Sequence, residues 1–483
     1  MNLPELGVGL TWLMGLESLV EANSPLIDVL EIEPQAFWRG DPGKAPAIDH
    51  AAVVSLQRRP TPKLIHSVGL PVGGTHPPPS AGLEMLRSVA VQLDAPWISE
   101  HLSFNCVGEE SSTWHTGFLL PPRQTLAGVE AAVSSVHALA SRMPVPVAIE
   151  GGVSYLQPRS DELPDGEFVA RVAEGADCGI LLDLQNVWTN QHHGRQNAGE
   201  YVDQLPLERV WEVHLAAGSS HRSYCLDAHP GPSPADLFAL ALHIVPRLPN
   251  LKALVFEIFP GSVPKLTAEL LRSHLEGLQR IWDRKGSSHD SPPQKVSRQE
   301  ESGSGPTPLE WESALAALTA HKKCSGNLAD ELRADPGLAI VRGMVDRYRG
   351  SLIVRTLRLS SRLIILERGP GYMEQLLAAF WKVHPPEACA VDEAEAFAEY
   401  LQKENPYVPF LPEVLEYDRA VIEVALHGGE RLVPFRADPL QLLNALGAGR
   451  RPMQIATGQF EVRLTPEQVA AEAAALAHVQ MIH

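Results

Sequence analysis

The sequence predicts an α/β chain in which a (β/α)8 barrel of the TIM type is followed by a mainly helical α+β domain. Eight short apolar runs alternate with amphipathic segments over residues 1–283. A polar stretch follows at 284–308, and residues 309–483 then show mostly helical spacing. Strands that are apolar throughout indicate a parallel sheet covered by helices on both faces. Eight such strands in a region of this length are typical of a closed barrel.

The eight predicted strands are short runs rich in Val, Ile and Leu. They are residues 7–12, 27–33, 62–68, 96–102, 145–151, 178–186, 209–216 and 251–259. Helical spacing separates them, for example at 83–94, 125–143 and 234–248. An open doubly wound sheet is the alternative architecture. No Gly-rich phosphate loop follows any of the runs, which disfavours a dinucleotide-binding version of that fold.

Residues 284–308 predict a linker between two domains, at 1–283 and 309–483. The stretch RKGSSHDSPPQKVSRQEESGSGPTP has almost no apolar residue, so it cannot bury enough surface to offset the entropy of ordering it. Beyond it, residues 309–322, 372–383, 392–403 and 411–428 carry apolar residues at helical spacing. The tail contains the alternating run 459–464 and predicts a small helix-plus-strand module, with a winged helix as one interpretation.

The composition excludes several classes of function. Hydrophobic content of 44% and charged content of 20% are typical of a globular chain. The net charge of −18 disfavours binding to nucleic acid or anionic membranes. No apolar run is long enough for a transmembrane helix, and the first basic residue is Arg39, which disfavours a secretory signal. The five cysteines are scattered without a CxxC pair, so we expect reduced thiols and a cytoplasmic location.

Metal-capable side chains stand at the carboxyl ends of the predicted strands. In chain order they are His66, Glu100, His101, Glu150, Asp183, Asn186, His214 and Glu257, with Asp227 and His229 in the loop after the seventh strand. The carboxyl ends of barrel strands converge on one face, where barrel enzymes build their active sites.

The number of these residues favours a metal centre. A single His or Glu at a strand end is more often a hydrogen-bonded structural group. Here at least five strands supply an imidazole or a carboxylate within apolar sequence, and burying that many charges without a cation is costly. Nitrogen and oxygen donors without thiolate suit iron, manganese or zinc. With about eight candidate ligands, we expect two or three ions rather than one.

The motifs around these residues resemble a known family. The chain reads LIHSVGLPVG, WISEHLSF, VAIEGGVSYL, GILLDLQNVW, WEVHLAAG, CLDAH and LVFEIF, in this order. They resemble the DUF692 proteins, multinuclear non-haem iron-dependent oxidative enzymes that include the iron oxidase subunits of methanobactin and 3-thiaglutamate biosynthesis. The resemblance covers residues 5–283. It implies a barrel with two or three irons (Fe2+ and Fe3+), O2 as co-substrate, and oxidative modification of a residue, frequently cysteine, in a ribosomally made precursor peptide.

The resemblance also implies a set of ligands. They are His66, His101, Glu150, Asp183, Asn186, His214, Asp227, His229 and Glu257. The catalytic residues are predicted among the same set, as His66, His101, Glu150 and Asp183. The chain departs from the family pattern beside the ligands, with Gly151-Gly152, Gln185 and Gln35-Ala36. These departures bear on the particular peptide reaction more than on the metal site.

The C-terminal block resembles the helical partner proteins that act beside these oxidases. The likeness lies in residues 348–386 and 409–428. In the family the partner is commonly a separate chain that recognises the precursor peptide, so the resemblance implies that this chain carries that function in cis. A linker would then raise the local concentration of bound peptide at the barrel mouth. The other interpretation is a helical domain that only stabilises the barrel.

Two other functions remain open from the sequence. One is a divalent-metal barrel hydrolase or isomerase, similar to endonuclease IV or xylose isomerase, which uses the same fold and ligand types. The other is a non-catalytic, metal-dependent binding protein whose helical domain contacts a partner. Dependence on dioxygen distinguishes the oxidative enzyme from both.

Overall fold

The first half of the chain is a closed barrel of eight parallel strands. The structure, a computed structural model, describes residues 3–39, 47–108, 113–221, 223–228, 231–286 and 305–470. The strands are β1 (Gly7–Thr11), β2 (Val29–Ile32), β3 (Lys63–Ser67), β4 (Ile98–His101), β5 (Val147–Glu150), β6 (Gly179–Asp183), β7 (Val210–Leu215) and β8 (Ala253–Phe256). Each strand pairs with its neighbour in the chain, and β1 pairs with β8 to close the barrel. This confirms the predicted fold class.

Helices cover the outside of the barrel. They are Glu17–Ala22, His50–Gln57, Ser80–Leu93, Leu126–Ala140, Asp165–Gly175, Leu184–His192, Ala198–Gln204, Ala235–Ile244 and Ala268–Trp282. The strands are buried on both faces, which explains why their sequences are apolar throughout. Side-chain caps set several helix starts: Thr125 accepts a hydrogen bond from the Gly128 amide, and Thr267 from the Leu270 amide.

Short antiparallel strand pairs extend from the carboxyl ends of three barrel strands. They are Trp38–Arg39 with Ala47–Ile48, Phe104–Val107 with Trp114–Leu120, and Gly218–His221 with Tyr224–Asp227. The sequence pattern does not predict these pairs. They follow β2, β4 and β7, so they build up the face where the strands end.

The second half is mainly helical. Its helices are Pro308–Thr319, Asn327–Ala334, Pro336–Thr356, Arg358–Arg368, Pro370–Val383, Ala390–Glu404, Leu411–His427 and Pro439–Gly447, and its strands Arg431–Ala437 and Thr457–Leu464 form an antiparallel pair. Most of the predicted linker, residues 287–304, lies outside the described residues, so its boundaries stay a prediction. None of the described helices has the length and apolar character needed to cross a membrane.

Two hydrophobic cores divide this helical half. Residues from Ile353 to Val469 pack among themselves. In contrast, Trp311 and Val345 share a core with Phe104, Leu120 and Tyr155 from the barrel loops. The first helices after the linker are therefore packed directly onto the carboxyl face of the barrel.

Candidate metal centre

Three neighbouring strands bring His66, His101 and Glu150 together. Glu150 Oε2 lies 3.3 Å from His66 Nε2 and 3.1 Å from His101 Nδ1. One ligand atom from each residue falls within 4.8 Å of the others. His66 and Glu150 are fully buried, and His101 is partly open. These residues end β3, β4 and β5, as the strand pattern predicted.

A serine fixes the orientation of His66. Ser99 Oγ donates to the Ile65 carbonyl and lies 2.9 Å from His66 Nδ1. Because its hydroxyl proton is used there, Ser99 accepts from Nδ1–H, which leaves the lone pair on Nε2 directed toward Glu150. A histidine that binds a metal commonly has its second nitrogen held in this way.

A second group consists of Glu150, Asp183 and His214. Glu150 belongs to both groups, so it is placed to bridge two ions. His214 Nε2 lies 2.8 Å from Glu31 Oε1, and His214 Nδ1 lies 3.3 Å from Glu257 Oε2. Glu31 is the closer partner and takes Nε2–H, so Nδ1 is the nitrogen available to a metal.

Below His214 lies a carboxylate that the sequence analysis missed. Glu212 groups with Glu31 and His214, and both carboxylates face His214 Nε2, at 3.6 Å for Glu212 Oε1 and 2.8 Å for Glu31 Oε1. Because that nitrogen carries the proton, the two acids hold His214 in place rather than offer a further ion site. Glu212 Oε2 accepts from Trp97 Nε1 at 3.0 Å, while its Oε1 is buried without a hydrogen-bond partner among the described residues. The signal was present in WEVHL, because residues two apart on a strand share one face of the sheet.

Asp183 and Asn186 support the Glu150 carboxylate. Asp183 caps the helix Leu184–His192 and accepts the Asn186 amide proton at 2.9 Å. Asn186 Nδ2 then donates to Glu150 Oε1 at 2.9 Å. Asn186 Oδ1 is buried and has no hydrogen-bond partner in the described part of the chain. The Asn186 side chain thus holds Glu150 through its nitrogen, and its oxygen is available as a metal ligand.

The remaining predicted ligands lie around these groups. The charges of Glu257 and Asp227 both act on Glu150. The Asp227 amide donates to Tyr155 Oη at 3.1 Å, which fixes the hairpin that carries Asp227. His229 lies outside the described residues. Glu100 is not part of the ligand groups: its carboxylate is held by Ser67, Leu70 and His101.

The electrostatics of the site favour a bound cation. Burial raises the pKa of Glu150 well above its ordinary value, and the charges of Asp183 and Glu257 raise it further. Burial also raises the pKa of Glu31. Burial alone lowers the pKa of His214, but Glu31, Glu212 and Glu257 raise it above its usual value. Carboxylates this crowded in a low dielectric need protons or cations.

The donor set fits a metal. Glu150 Oε2 is buried and has no hydrogen-bond partner among the described residues, yet two imidazole nitrogens lie within 3.3 Å of it. The lone pair on His66 Nε2 faces this oxygen, and an ion bound by both atoms would offset the cost of burying them together. Imidazole nitrogens and carboxylate oxygens suit borderline divalent ions, and bridging carboxylates suit more than one ion.

Comparison with known proteins supports this interpretation. Residues 5–273 match the family model described as RiPP precursor modification enzyme MbnB/TglH/ChrH. A UPF0276 protein of Anaeromyxobacter sp. (strain Fw109-5) is 32% identical over 52% of this chain and 84% of that protein. A UPF0276 protein of Streptomyces avermitilis is 26% identical over 51% of this chain and 50% of that protein.

Two solved structures show a distant likeness to this chain. A D-allulose 3-epimerase from Methylomonas sp. has 16% sequence identity and a TM-score of 0.37, covering 59% of this chain and 97% of that chain. Endonuclease IV from Thermus thermophilus has 15% identity and a TM-score of 0.37, covering 57% of this chain and all of the other (100%). Neither likeness carries functional information.

The family match extends over more than half of the chain, from β1 into the last barrel helix. It includes all eight strands and all nine predicted ligands, eight of which the structure describes. It confirms the resemblance predicted from the motifs. The chain belongs to the family of RiPP precursor modification enzymes MbnB/TglH/ChrH.

Proposed function

We propose that the protein is an iron- and O2-dependent enzyme that oxidatively modifies a residue, frequently cysteine in this family, of a ribosomally made precursor peptide. The family supports a peptide-modifying enzyme. One observation supports the metal: Glu150 Oε2 is buried within 3.3 Å of two histidine nitrogens, and Glu150 also belongs to a second ligand group. The iron ions number two or three in this proposal.

His66, His101 and Glu150 would hold one ion, and Asp183, His214 and Glu150 another. Asn186, Asp227, Glu257 and His229 would complete the ligand set. Bound iron would supply redox chemistry and lower the pKa of a coordinated thiol.

The residues of the chain would prepare the substrate for that chemistry. Asp227 is more open to solvent than Glu150 and Asp183, so of these three ligands it would be the most accessible to an incoming thiol. Ser99 and Glu31 would keep His66 and His214 in one tautomer each. The first helices of the helical half pack on loops at the carboxyl face of the barrel, which would help to exclude water from the reacting sulfur.

We further propose that the helical half, residues 309–483, supplies the peptide-recognition function in cis. Its first helices are packed on the barrel loops rather than held only by the linker. A peptide bound to this half would be presented directly above the strand ends.

Metal analysis followed by a peptide assay tests the proposal. Protein purified without oxygen is expected to retain at least one iron per chain after reconstitution. His214→Ala should lower the iron content, because it removes a ligand of the second group. Aerobic incubation with a short Cys-containing peptide encoded beside the gene should change the peptide mass.

The same assay separates the rival functions. Turnover under argon with zinc would identify a hydrolase or isomerase instead. Metal and peptide binding without oxygen consumption would identify a binding protein. His137→Ala, in a helix outside the barrel, serves as the matched control and should leave the iron content unchanged.

A further inference from the structure

One segment of this acidic protein is strongly basic. Residues 336–368 contain seven arginines and two acidic residues, whereas the whole chain has a net charge of −18. The segment comprises the helices Pro336–Thr356 and Arg358–Arg368. Such a local excess of positive charge is a candidate binding surface for an anionic ligand.

The helix Pro336–Thr356 crosses the carboxyl face of the barrel. Its first turn packs on the loop after β5, where Gly337 meets the carbonyl of Tyr155. Further along, the Tyr348 ring lies 5.9 Å from the ring of Phe118, in the hairpin after β4. The charge of Glu33, just beyond β2, also acts on the Tyr348 phenol. The middle of this helix therefore lies above the rim of the barrel mouth.

Two arginines on the outer face of this helix carry unneutralised charge. Arg347 and Arg355 are exposed, and no carboxylate lies within 4.0 Å of either guanidinium in the part of the chain that the structure describes. Helical geometry places them on one side together with Tyr348 and Val354. Tyr348 is 46% exposed and Val354 is 36% exposed, so the same face offers apolar contact.

The spacing of this face fits an extended peptide. Arg355 lies eight positions after Arg347, which is roughly 12 Å along a helix. An extended chain covers that distance in about four residues. A carboxylate at each end of such a segment could pair with one guanidinium each, and Arg binds carboxylates through two parallel hydrogen bonds.

We propose that the face formed by Arg347, Tyr348, Val354 and Arg355 binds an acidic segment of the peptide substrate and directs the remainder into the barrel mouth. This rests on the proposed peptide-modifying function and names the chemistry that the peptide must carry. A nucleic acid is disfavoured because its phosphates need a wider basic surface.

Fluorescence anisotropy tests the proposal with a fluorescein-labelled deca-glutamate peptide. The full-length protein is compared with Arg347→Glu/Arg355→Glu at low and at moderate salt. We expect binding at least tenfold weaker in this variant, and salt should weaken binding to the unmodified protein. The matched control is Arg58→Glu/Arg280→Glu, which makes the same charge change on exposed arginines at the opposite end of the barrel. It should bind within twofold of the unmodified protein.

Several outcomes would overturn the proposal: equal losses in the two double variants, unchanged binding by Arg347→Glu/Arg355→Glu, or equally tight binding of a labelled thymidine decanucleotide. Arginine-dependent co-sedimentation with phosphatidylserine vesicles, without deca-glutamate binding, would assign the face to membranes instead. Thermal melting checks that each variant is folded. If Arg347→Glu/Arg355→Glu is not folded, Arg347→Gln/Arg355→Gln takes its place in the binding assay.

Iron content separates this proposal from the proposed function. The arginine variants should retain their iron, because neither residue belongs to the ligand groups. Loss of peptide binding with iron retained supports the proposal that this face binds the peptide. Absence of iron in every variant would reject the proposed chemistry and leave the binding result standing.

Discussion

The barrel and the helical half both bury charge, but they satisfy it differently. In the helical half, the Glu393 carboxylate accepts from Arg349 Nε at 2.8 Å and from the Glu387 amide at 2.9 Å. In the barrel, Glu150 and Glu212 each keep one buried oxygen without a hydrogen-bond donor among the described residues. Protein donors neutralise the first kind of acid, whereas the second kind needs a proton or a cation. Buried charge maintains the fold in one region and prepares a metal site in the other.

Removing Glu393 should give the largest effect on stability. Glu393→Ala leaves the Arg349 guanidinium buried without its carboxylate, and both side chains are almost fully buried. The free energy of unfolding should fall by about 3–5 kcal/mol, measured by chemical denaturation. Glu395→Ala is the control, because its pair with Arg419 is more than a quarter exposed (28% and 29%) and should contribute less than about 1 kcal/mol. Equal losses in the two variants would contradict the comparison.

Asp418 should make the stability of the helical half depend on pH. Burial raises the pKa of Asp418 to about 6 although Ser360 and Leu359 donate hydrogen bonds to it. Its contribution is complete below its unfolded pKa, near 3.8, and is lost as pH rises through about 6. The loss is at most roughly 3 kcal/mol. The free energy of unfolding of the unmodified protein, minus that of Asp418→Asn, should therefore decrease between pH 4 and pH 7 and then level off. A constant difference across that range would contradict this assignment.

Glu31→Gln tests whether a buried acid of the barrel serves metal binding rather than stability. Glutamine keeps an oxygen near His214 Nε2 but removes the negative charge that makes the imidazole a stronger ligand. Iron affinity should fall about 10- to 100-fold, measured by titration against a competing chelator. The metal-free protein should not lose stability, because burial raises the pKa of Glu31 and disfavours its charge. Glu33→Gln, a less buried acid after the same strand, should change neither quantity. A fall in stability with iron affinity unchanged would make Glu31 a structural acid.

The barrel was more predictable from the sequence than the helical half. Its strands are buried on both faces, so each reads as a continuous apolar run, and parallel strands bring their carboxyl ends together. That logic placed His66, Glu150 and His214 at one site. The hydrogen-bond partners of these residues are harder to predict from the sequence. Glu31 and His214 are 183 positions apart, and they meet only because the barrel closes.

Tertiary contacts also explain why the sequence shows no clear helical pattern over Pro336–Thr356. One side packs on the hairpin Trp114–Leu120 and another on the helix Ala390–Glu404, so its apolar residues form no single stripe. The sequence pattern therefore does not predict this helix. Nor does it indicate that the helix is fixed to the barrel.

The joint between the two regions gives the smallest expected effect. A Cβ on Gly337 would lie 1.9 Å from the Tyr155 carbonyl oxygen, so Gly337→Ala must shift the start of this helix. We expect a loss of about 1–2 kcal/mol in stability, at the lower end for overpacked positions, because a helix terminus can move. Gly343→Ala is the matched control in the same helix: its Cβ meets nothing within 4 Å, and it should stabilise by up to about 1 kcal/mol.

Iron binding decides what this joint does. Tyr155 Oη also accepts the Asp227 amide proton, so a shift of Tyr155 would displace Asp227, a predicted ligand. If Gly337→Ala lowers iron affinity and Gly343→Ala does not, the helical half helps to position the metal site. If both variants bind iron as the unmodified protein does, the joint only anchors the helices, and the two regions bury their charges independently.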